Sequence, residues 1–210
     1  MPHAGRTYDR IAAHFSKTRE YAWPEIEAFL ADRSGDLALD LGCGNGRHAE
    51  VLAEAADRVV GVDASTGLLA EAADRAADRN FEVDLVAGDA ASIPLREDTV
   101  DLGVYVATLH HLRPRERRLA SLDELARVLA PGGRALVSAW STEHTKFEDE
   151  ETDGSGLDTE VDWTLPGGET VGRFYHVYDP AEFEADLAES DLELVEWEIS
   201  SGNCYAVVGP

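Results

Sequence analysis

One stretch, Leu37–Arg47, decides the fold, and it reads LALDLGCGNGR. A short apolar run ends at Asp40, and glycines then occupy every second position: Gly42, Gly44 and Gly46. Glycines at this spacing remove side chains where a strand turns sharply into a helix, so that a ligand can lie against bare backbone. The dinucleotide fingerprint G-x-G-x-x-G would need a glycine where this chain has Arg47. The stretch therefore predicts a strand-to-helix turn that either binds another class of ligand or is purely structural.

The composition indicates a single globular domain without a membrane segment. At 210 residues the chain is long enough to bury a substantial core. Its apolar runs have the length of strands, and its first residues lack the apolar segment of a signal peptide, so we expect a cytoplasmic protein that contacts no membrane. Cys43 and Cys204 are the only cysteines, and no Cys/His cluster has the spacing of zinc ligands. We therefore expect neither a disulfide framework nor a metal site.

The charge is strongly acidic, with 42 Asp and Glu residues against 18 Lys and Arg, a net charge of −24. Taken alone, this charge disfavours a nucleic-acid partner, because phosphate binding requires cationic patches. It is also typical of a halophilic protein, in which carboxylates replace lysines and dense salt screens their repulsion. We prefer the halophilic interpretation, since the acidic residues are spread through every segment. Partners must then be inferred from the local positions of the arginines.

From Asp36 onward, short β-rich runs alternate with helical stretches, which is typical of a mostly parallel α/β sheet. The pattern predicts strands at 36–41, 58–62, 82–87, 99–106 and 133–140, and helices at 46–56, 66–79 and 115–130. Helical pieces at 8–17 and 24–32 precede the sheet. Residues 143–162 contain nine Asp or Glu and predict a mobile loop. A helix at 180–189 and two antiparallel strands at 192–199 and 203–208 complete the chain.

Two carboxylates follow the glycine turn at later strand ends. Asp63 ends the apolar run VVGVD, and Asp89 stands in VAGDAASIPL. Asp63 could accept hydrogen bonds from both hydroxyls of a ribose, and Asp89 from an adenine amino group, with the amide of Ala90 serving a ring nitrogen. Either could instead be structural, Asp63 as a helix N-cap and Asp89 as a turn residue. The joint order of the turn, Asp63, Asp89 and Asp101, at helix-sized intervals, favours an adenosine site.

Together these motifs resemble the class I methyltransferases, which bind S-adenosylmethionine, across roughly residues 36–140. The resemblance implies an α/β fold with a seven-stranded, mostly parallel Rossmann-like sheet, helices on both faces and an antiparallel last strand. It implies one domain, 1–210, made of an N-terminal helical cap (1–35), a cofactor half (36–140) and an acceptor side with a loop and the C-terminal strands (141–210). The expected cofactor-binding residues are Asp40, which would approach the amino end of the methionine moiety, and Gly42, Gly44, Gly46, Asp63, Ala64, Asp89, Ala90 and Val106.

The flanking segments resemble a narrower family, the tRNA methyltransferases that esterify the carboxymethyl group of a wobble uridine. The segments are YDRIAAHFSKTREYAWPEIEAFL, LHHLRPRERRLASLDELARVLAPGG, RFYHVYDPAEFEADL and SGNCYAVV. This chain departs from the family at Gly202-Asn203-Cys204, where members commonly carry an Asp-Asn-Trp-like triplet. A carboxylate acceptor is already ionised at neutral pH, so no general base is obligatory and orientation must supply most of the catalysis.

The expected catalytic residues are Arg19, His110 and Arg173, because an arginine fork can bind a carboxylate or a phosphate through two hydrogen bonds. The pair His110-His111 could provide a general base or could only pack at a strand-to-helix turn. Further side chains are expected to line the acceptor site: Tyr8, His14, Tyr175 and His176.

Partners are indicated by one basic cluster and by the family. The cluster, Arg113, Arg115, Arg117 and Arg118, is either a site for the tRNA backbone or a helix start neutralised by nearby acidic residues. The family resemblance implies a small zinc-containing activator protein at the exposed sheet edge near Phe81 to Val86. Two other classes of function stay open: a small-molecule methyltransferase acting on a quinone or other metabolite, and a non-catalytic protein that binds S-adenosylmethionine or a partner.

Overall fold

Nine strands and six α-helices form the part of the chain that the structure, a computed structural model, describes, which is residues 3–147 and 154–210. The strands are β1 (Gly35–Leu41), β2 (Ala56–Asp63), β3 (Asp84–Ala87), β4 (Val100–Val106), β5 (Leu129–Trp140), β6 (Leu157–Thr164), β7 (Thr170–Val177), β8 (Glu193–Ser200) and β9 (Asn203–Gly209). The helices are α1 (His3–Ser16), α2 (Pro24–Leu30), α3 (Arg47–Ala55), α4 (Thr66–Arg79), α5 (Arg115–Val128) and α6 (Pro180–Glu189). Short 3-10 turns lie at Leu109–His111 and Thr145–Phe147.

Seven of these strands form one sheet in the order β3-β2-β1-β4-β5-β9-β8. The strands β1 to β5 pair in parallel with their neighbours, because each crossover between them passes over a face of the sheet. β9 runs antiparallel between β5 and β8. The predicted seven-stranded, mostly parallel sheet with an antiparallel last strand is therefore confirmed.

Apolar layers cover both faces of the sheet. On one face, α5 and α6 contribute Leu122, Leu125 and Phe183 to the larger core cluster. On the other face, α2 and α3 contribute Ile26 and Leu52 to a second cluster. The central strands are buried on both sides for this reason, and the prediction of helices on both faces is confirmed. No helix in the described residues is long and apolar enough to cross a membrane.

β6 and β7 form a separate two-stranded sheet, and β6 begins within the segment 143–162, for which the sequence predicts a mobile loop. Exposed and half-buried residues alternate along β6, and the exposed positions include Asp158, Glu160 and Asp162. The loop prediction is wrong for β6, because these acidic residues form one face of a strand whose other face is half-buried. The sequence pattern did not predict β7 either. Residues 148–153 of the predicted loop lie outside the described residues.

The glycine turn leaves β1 where the strand order reverses. β1 lies between β2 and β4, so a crevice opens beyond the carboxyl ends of these strands. Gly42 has a φ of +75°, in the left-handed region that glycine adopts readily. A Cβ at Gly42 would also overlap the side chain of Thr108, which follows β4. The turn and the neighbouring strand end therefore fit together only with glycine at this position.

Asp40 is buried in β1, directly before this turn. The amide of Ala49 in α3 donates a hydrogen bond to the carboxyl group, while Oδ2 has no partner among the described residues. Burial is the largest effect on this group and raises its pKa from 3.8 to about 7. The protonated and the ionised forms of Asp40 are therefore about equally populated at neutral pH.

Replacing Asp40 by asparagine should remove a pH-dependent part of the stability. The pKa of Asp40 is higher in the folded than in the unfolded chain. The favourable contribution of Asp40 to the free energy of unfolding is therefore fully present below about pH 4 and is lost as the pH rises through about 7. From about pH 5 to about pH 8, the free energy of unfolding of Asp40→Asn should therefore rise by roughly 2 to 3 kcal/mol relative to that of the unchanged protein, at about 1.4 kcal/mol per pKa unit. Urea unfolding of both proteins at the two pH values measures this difference, and a pH-independent difference would contradict the raised pKa.

Candidate active site

Two adjoining cavities open at the carboxyl ends of the central strands. The first has a volume of about 780 Å³ and the second about 480 Å³. Both volumes are typical of small-ligand sites, which hold roughly 300 to 1,000 Å³. The wall that the two cavities share consists of Tyr8, Phe15, Arg47, Ala107, His111 and Arg173. This arrangement can hold two ligands side by side.

The carboxylate of Asp63 faces the first cavity at the end of β2. Its Oδ2 accepts a hydrogen bond from the amide of Gly44 at 2.9 Å, and its Oδ1 accepts one from the amide of Ser65 at 2.8 Å. Burial is the largest effect on Asp63 and raises its pKa above 3.8. A carboxylate offers about four acceptor positions, and the amides of Gly44, Ser65 and Ala64 do not use all of them, so Asp63 can still accept from a ligand hydroxyl. Asp63 can therefore fix the loops and bind a ribose at the same time.

Asp89 also lines the first cavity, and it is ion-paired with Arg117. Nη2 of Arg117 lies 2.6 Å from Oδ1 of Asp89, which also accepts a hydrogen bond from the amide of Ala91 at 3.0 Å. Arg117 lines the same cavity. The structure thus places Arg117 beside the predicted adenine position, 28 residues away from Asp89 in sequence.

Most of the predicted cofactor-binding residues line the first cavity, namely Gly42, Gly44, Asp63, Ala64, Asp89, Ala90 and Val106. Asp40 and Gly46 lie outside this lining, since Asp40 is buried in β1 and Gly46 is the N-cap of α3. A Cβ at Gly44 would meet nothing within 4 Å, so the backbone there faces open space. Bare backbone, a carboxylate with free acceptor positions and a second fixed carboxylate suit an adenosine ligand that carries an amino acid.

The predicted catalytic residues Arg19, His110 and Arg173 all line the second cavity. They come from distant parts of the chain, the segment after α1, the turn after β4 and the strand β7. Of the other predicted lining residues, Tyr8 and Tyr175 lie at the second cavity.

The prediction places two further side chains, His14 and His176, at this site, but both lie elsewhere. His14 accepts a hydrogen bond from the indole of Trp163 at 3.0 Å. His176 lies between Asp158 and Glu182, at 2.7 and 2.9 Å. Neither histidine is part of the lining of either cavity, so both have structural contacts instead.

Arg173 is a buried cation in the wall between the two cavities, with 7% of its surface exposed. Nη1 donates a hydrogen bond to the hydroxyl of Tyr175 at 2.8 Å, while Nε has no partner among the described residues. The guanidinium carbon lies 4.9 Å from the ring centre of Trp163. The ion pairs among the described residues do not include Arg173. Its charge is therefore free to bind an anionic ligand.

The histidine pair is neutral at neutral pH. Burial lowers the pKa of His110 well below 6.5 and that of His111 to about 4. Nδ1 of His110 accepts a hydrogen bond from the amide of Trp140 at 3.0 Å, so Nε2 carries the proton of the neutral ring. His110 can thus donate a hydrogen bond from Nε2. These contacts do not support the general-base interpretation of the pair.

The predicted tRNA cluster at Arg113, Arg115, Arg117 and Arg118 requires correction. Arg118 is buried, with 4% exposed, and contacts carboxylates of α6, which are Glu182 at 3.2 Å and Asp186 at 3.7 Å. Arg115 pairs with Asp186 and Glu189. Arg117 is held by Asp89, and only Arg113 is exposed, over the ring of Phe174. These arginines do not form one free cationic surface, because most of them join helices and loops of the fold.

Sequence reasoning missed three residues of the shared wall, Phe15, Arg47 and Ala107. In the sequence, Arg47 indicated only that the glycine turn is not a dinucleotide fingerprint. Its position directly after Gly46, at the first residue of α3, was a usable signal, since the start of a helix faces the ligand in such turns. No sequence pattern marked Ala107, whose φ of +55° becomes visible only in the folded chain.

A family model described as a methyltransferase domain matches residues 39–137 of the chain. Solved structures share the fold. One is a complex described as DhpI-SAM-HEP, with a TM-score of 0.74, 23% identity and coverage of 100% of both chains. Another is the complex between the Haloferax volcanii Trm112 methyltransferase activator and a putative methyltransferase, with a TM-score of 0.71, 16% identity and coverage of 98% of this chain and 96% of the other.

Curated relatives are more similar in sequence. The tRNA (carboxymethyluridine(34)-5-O)-methyltransferase ALKBH8 of Mus musculus is 38% identical over 142 residues, which is 67% of this chain and 20% of the relative. The enzyme of the same name from Schizosaccharomyces pombe is 30% identical over 161 residues, 76% of this chain and 67% of the relative. The match thus spans a fifth of the length of the mouse relative and two thirds of the yeast one. The chain belongs to the S-adenosylmethionine-dependent methyltransferases, in the family that includes the tRNA (carboxymethyluridine(34)-5-O)-methyltransferases.

Proposed function

We propose that the chain methylates the carboxylate of a carboxymethyl group on uridine 34, the wobble uridine, of tRNA. The observation that carries this proposal is the buried Arg173, which lines both cavities and has no carboxylate partner among the described residues. A buried cation without a counterion is unfavourable, and an anionic ligand would remove that penalty. The names of the curated relatives support a tRNA carboxylate as this anion.

S-adenosylmethionine supplies a methyl group on a positively charged sulfur. In the proposed arrangement the first cavity holds the cofactor, with Asp63 accepting hydrogen bonds from the ribose hydroxyls and Asp89 and Ala90 at the adenine. The glycine turn at Gly42 and Gly44 would lie against the methionine end, and Asp40 beneath that turn would interact with the amino group only indirectly. The available acceptor positions of Asp63 and the open space at Gly44 support this assignment.

The reaction requires no proton transfer by the protein. A carboxylic acid of this kind has a pKa of about 4, so the acceptor is an anion at neutral pH and can attack directly. Arg173 binds this anion, and because Arg173 lines both cavities, the bound carboxylate lies at the wall that the methyl group must cross. Neutral His110 can donate a second hydrogen bond to the acceptor from Nε2. These side chains catalyse by orienting the acceptor rather than by acid-base chemistry.

A hydrogen-bonded bridge crosses the shared wall. The hydroxyl of Tyr8 in α1 donates to Nε2 of His111 at 2.9 Å, and Nδ1 of His111 donates to the carbonyl of Phe174 in β7 at 2.8 Å. The bridge joins three separate segments above the central sheet. Excluding water strengthens the contact between Arg173 and a carboxylate, since fewer solvent dipoles screen it.

A small carboxylic acid is the alternative acceptor. The second cavity, at about 480 Å³, could hold such a molecule without any RNA, and its single buried guanidinium would bind the carboxylate in the same way. The names of the relatives favour tRNA over this alternative. A tRNA substrate also supports the cytoplasm as the compartment in which we propose that the protein acts.

Replacing Arg173 by glutamine should reduce methyl transfer to tRNA about 100-fold, because a charge-assisted contact to the acceptor is worth roughly 1.5 to 3 kcal/mol. Arg173→Lys keeps the charge but loses the bidentate fork, so an intermediate rate is expected. The measurement uses labelled S-adenosylmethionine with tRNA that carries carboxymethyluridine, followed by analysis of the nucleosides.

A small-metabolite extract serves as the competing substrate in the same assay. Label in metabolites but not in tRNA would favour the small-molecule alternative. An Arg173→Gln protein that is folded and methylates tRNA within twofold of the unchanged rate would contradict the proposal.

Arg117→Gln should weaken the binding of S-adenosylmethionine itself, about tenfold, because Arg117 holds Asp89 at the proposed adenine position. Arg58→Gln is a matched control, since Arg58 forms an exposed ion pair with Asp84 at 2.8 Å and lines neither cavity. Titration of the cofactor by calorimetry measures both affinities. Equal affinities in the two variants would remove Arg117 from the cofactor site.

We also propose an activator protein at β3. This strand forms one edge of the seven-stranded sheet and pairs only with β2 among the described strands, so its outer side could accept a strand of another chain. A fold neighbour was solved in complex with a Trm112 activator. The amide of Gly88 donates to the carbonyl of Asp63 in β2 at 3.0 Å, so the amide of Ala87, one residue earlier, faces the outer side. Replacing Ala87 by proline should therefore prevent such pairing, because proline has no amide hydrogen.

The expected result is loss of co-purification with a Trm112-type protein and loss of its effect on rate. Full tRNA activity of the isolated, monomeric chain would argue against any need for the activator.

A further inference from the structure

Besides Arg173, two arginines of the second cavity have no described carboxylate within ion-pair distance. Arg19 and Arg47 both line this cavity, and neither takes part in an ion pair among the described residues. The chain has 42 acidic residues, and many of its other arginines do form such pairs: Arg10, Arg58, Arg75, Arg79, Arg115, Arg117, Arg118 and Arg127. In so acidic a chain, arginines without a carboxylate partner at a cavity wall point to an anion from outside the protein.

Aromatic rings hold both guanidinium groups in place. The guanidinium carbon of Arg19 lies 4.9 Å from the ring centre of Phe15, and that of Arg47 lies 4.9 Å from the ring centre of Trp23. Nη1 of Arg19 donates to Thr18, and Nη1 of Arg47 donates to the carbonyl of Tyr21 at 3.4 Å. A guanidinium has five N–H donors, so each group keeps donors that no described residue uses. Stacking fixes the direction of the remaining donors.

One buried side chain connects the backbone segments that carry the two arginines. Asn45, in the glycine turn, donates from Nδ2 to the carbonyl of Arg19 at 2.9 Å and to that of Ser16 at 3.3 Å. Arg47 follows Asn45 by two residues in the same turn. The segment after α1 and the start of α3 are thereby tied together. Arg19 and Arg47 thus form a preorganised pair rather than two mobile surface side chains.

The two charges repel each other. Burial, followed by the charge of Arg19, lowers the pKa of Arg47 to about 10. Among the described residues, Glu25 is the only carboxylate of the second cavity, and it accepts a hydrogen bond from Ser200 at 2.5 Å. Two neighbouring guanidinium groups offer donors in the forked geometry that suits a phosphate. A phosphate group between them would relieve the repulsion and use the free donors.

We propose that Arg19 and Arg47 clamp a phosphodiester that adjoins the acceptor nucleotide, while Arg173 binds the carboxylate of its base. This inference rests on the proposed function and names a second anion subsite of the same acceptor cavity. The acceptor nucleotide then lies outside the anticodon stack, with its base in a cavity whose lining includes Trp140, Tyr175 and Tyr205. Two anion contacts on one nucleotide also distinguish RNA from a small carboxylic acid, which has only one.

The test uses anticodon stem-loop RNA with carboxymethyluridine at position 34. One phosphodiester at a time, on the 5′ or the 3′ side of this nucleotide, is replaced by an uncharged methylphosphonate. For the unchanged protein, one of the two neutral linkages should weaken RNA binding about tenfold, as expected for the loss of a charge-assisted contact. Arg19→Gln and Arg47→Gln should each weaken, by a similar factor, the binding of the carboxymethyluridine RNA that has only normal phosphodiesters. They should lose most of the sensitivity to the neutral linkage, because the contact is already absent.

Arg33→Gln is the matched control. The guanidinium of Arg33 also stacks on an aromatic ring, at 4.7 Å from the centre of Phe29, and Arg33 lines neither cavity. This variant removes the same charge and should keep the full tenfold sensitivity. Arg47→Lys, which keeps the positive charge, should keep part of the sensitivity to the neutral linkage. Thermal unfolding of each variant verifies that the fold is intact.

Two results would overturn the clamp. The first is full sensitivity to the neutral linkage in both Arg19→Gln and Arg47→Gln, and the second is no effect of either neutral linkage on the unchanged protein. The outcome is separable from that of the proposed function. If the stem-loop that carries carboxymethyluridine and only normal phosphodiesters is not methylated at all, with or without a Trm112-type protein, the proposed function fails. Methylation without any effect of the linkages removes only the clamp.

Discussion

The carboxylate of Asp63 holds together the loops from which the first cavity is built. It accepts one amide hydrogen from Gly44 in the glycine turn and one from Ser65 at the start of α4. The hydroxyl of Ser65 donates in turn to Asp9 of α1 at 2.7 Å and accepts from the amide of Leu68. Three segments that are distant in sequence therefore share one hydrogen-bonded unit. Because these hydrogen bonds connect the glycine turn, the start of α4 and α1, a ligand that binds Asp63 meets a preformed site. The loops of the protein then lose less conformational entropy when the ligand binds.

The acidic composition changes the meaning of each arginine. The chain has 42 acidic residues against 18 basic ones, so carboxylate partners for a guanidinium are plentiful. Arg115 and Arg118 are examples, since both contact Asp186 of α6 and join that helix to α5. Arg173 differs, because aromatic rings rather than carboxylates surround its charge. Stacking on a ring stabilises a cation only by about 0.5 to 2 kcal/mol, less than a buried charge costs, so a bound anion is needed to complete the site.

Local patterns predicted the central fold and much of the first cavity. The alternation of strands and helices, the glycine turn and the strand-end Asp63 depend on short-range rules of backbone geometry, which the sequence displays directly. The errors involve contacts between distant residues. The cluster prediction failed because Glu182, 64 residues after Arg118, reaches that guanidinium only when α6 packs beside α5. Arg117 meets Asp89 across 28 residues for the same reason. A run of charges in a sequence does not show which partners folding will supply.

The shared wall combines strain with a small side chain. Ala107, directly after β4, has a φ of +55° and lines both cavities. A left-handed conformation costs a residue with a Cβ about 1 to 2 kcal/mol, and two contacts of its amide, to the carbonyl and the hydroxyl of Ser138, hold it in place. Glycine would remove the strain but would loosen the strand end, whereas a larger side chain would reach into the cavities on either side. Alanine keeps the wall rigid and thin where the two ligands meet, and methyl transfer between them requires both properties, because the reacting atoms must approach to about 3 Å.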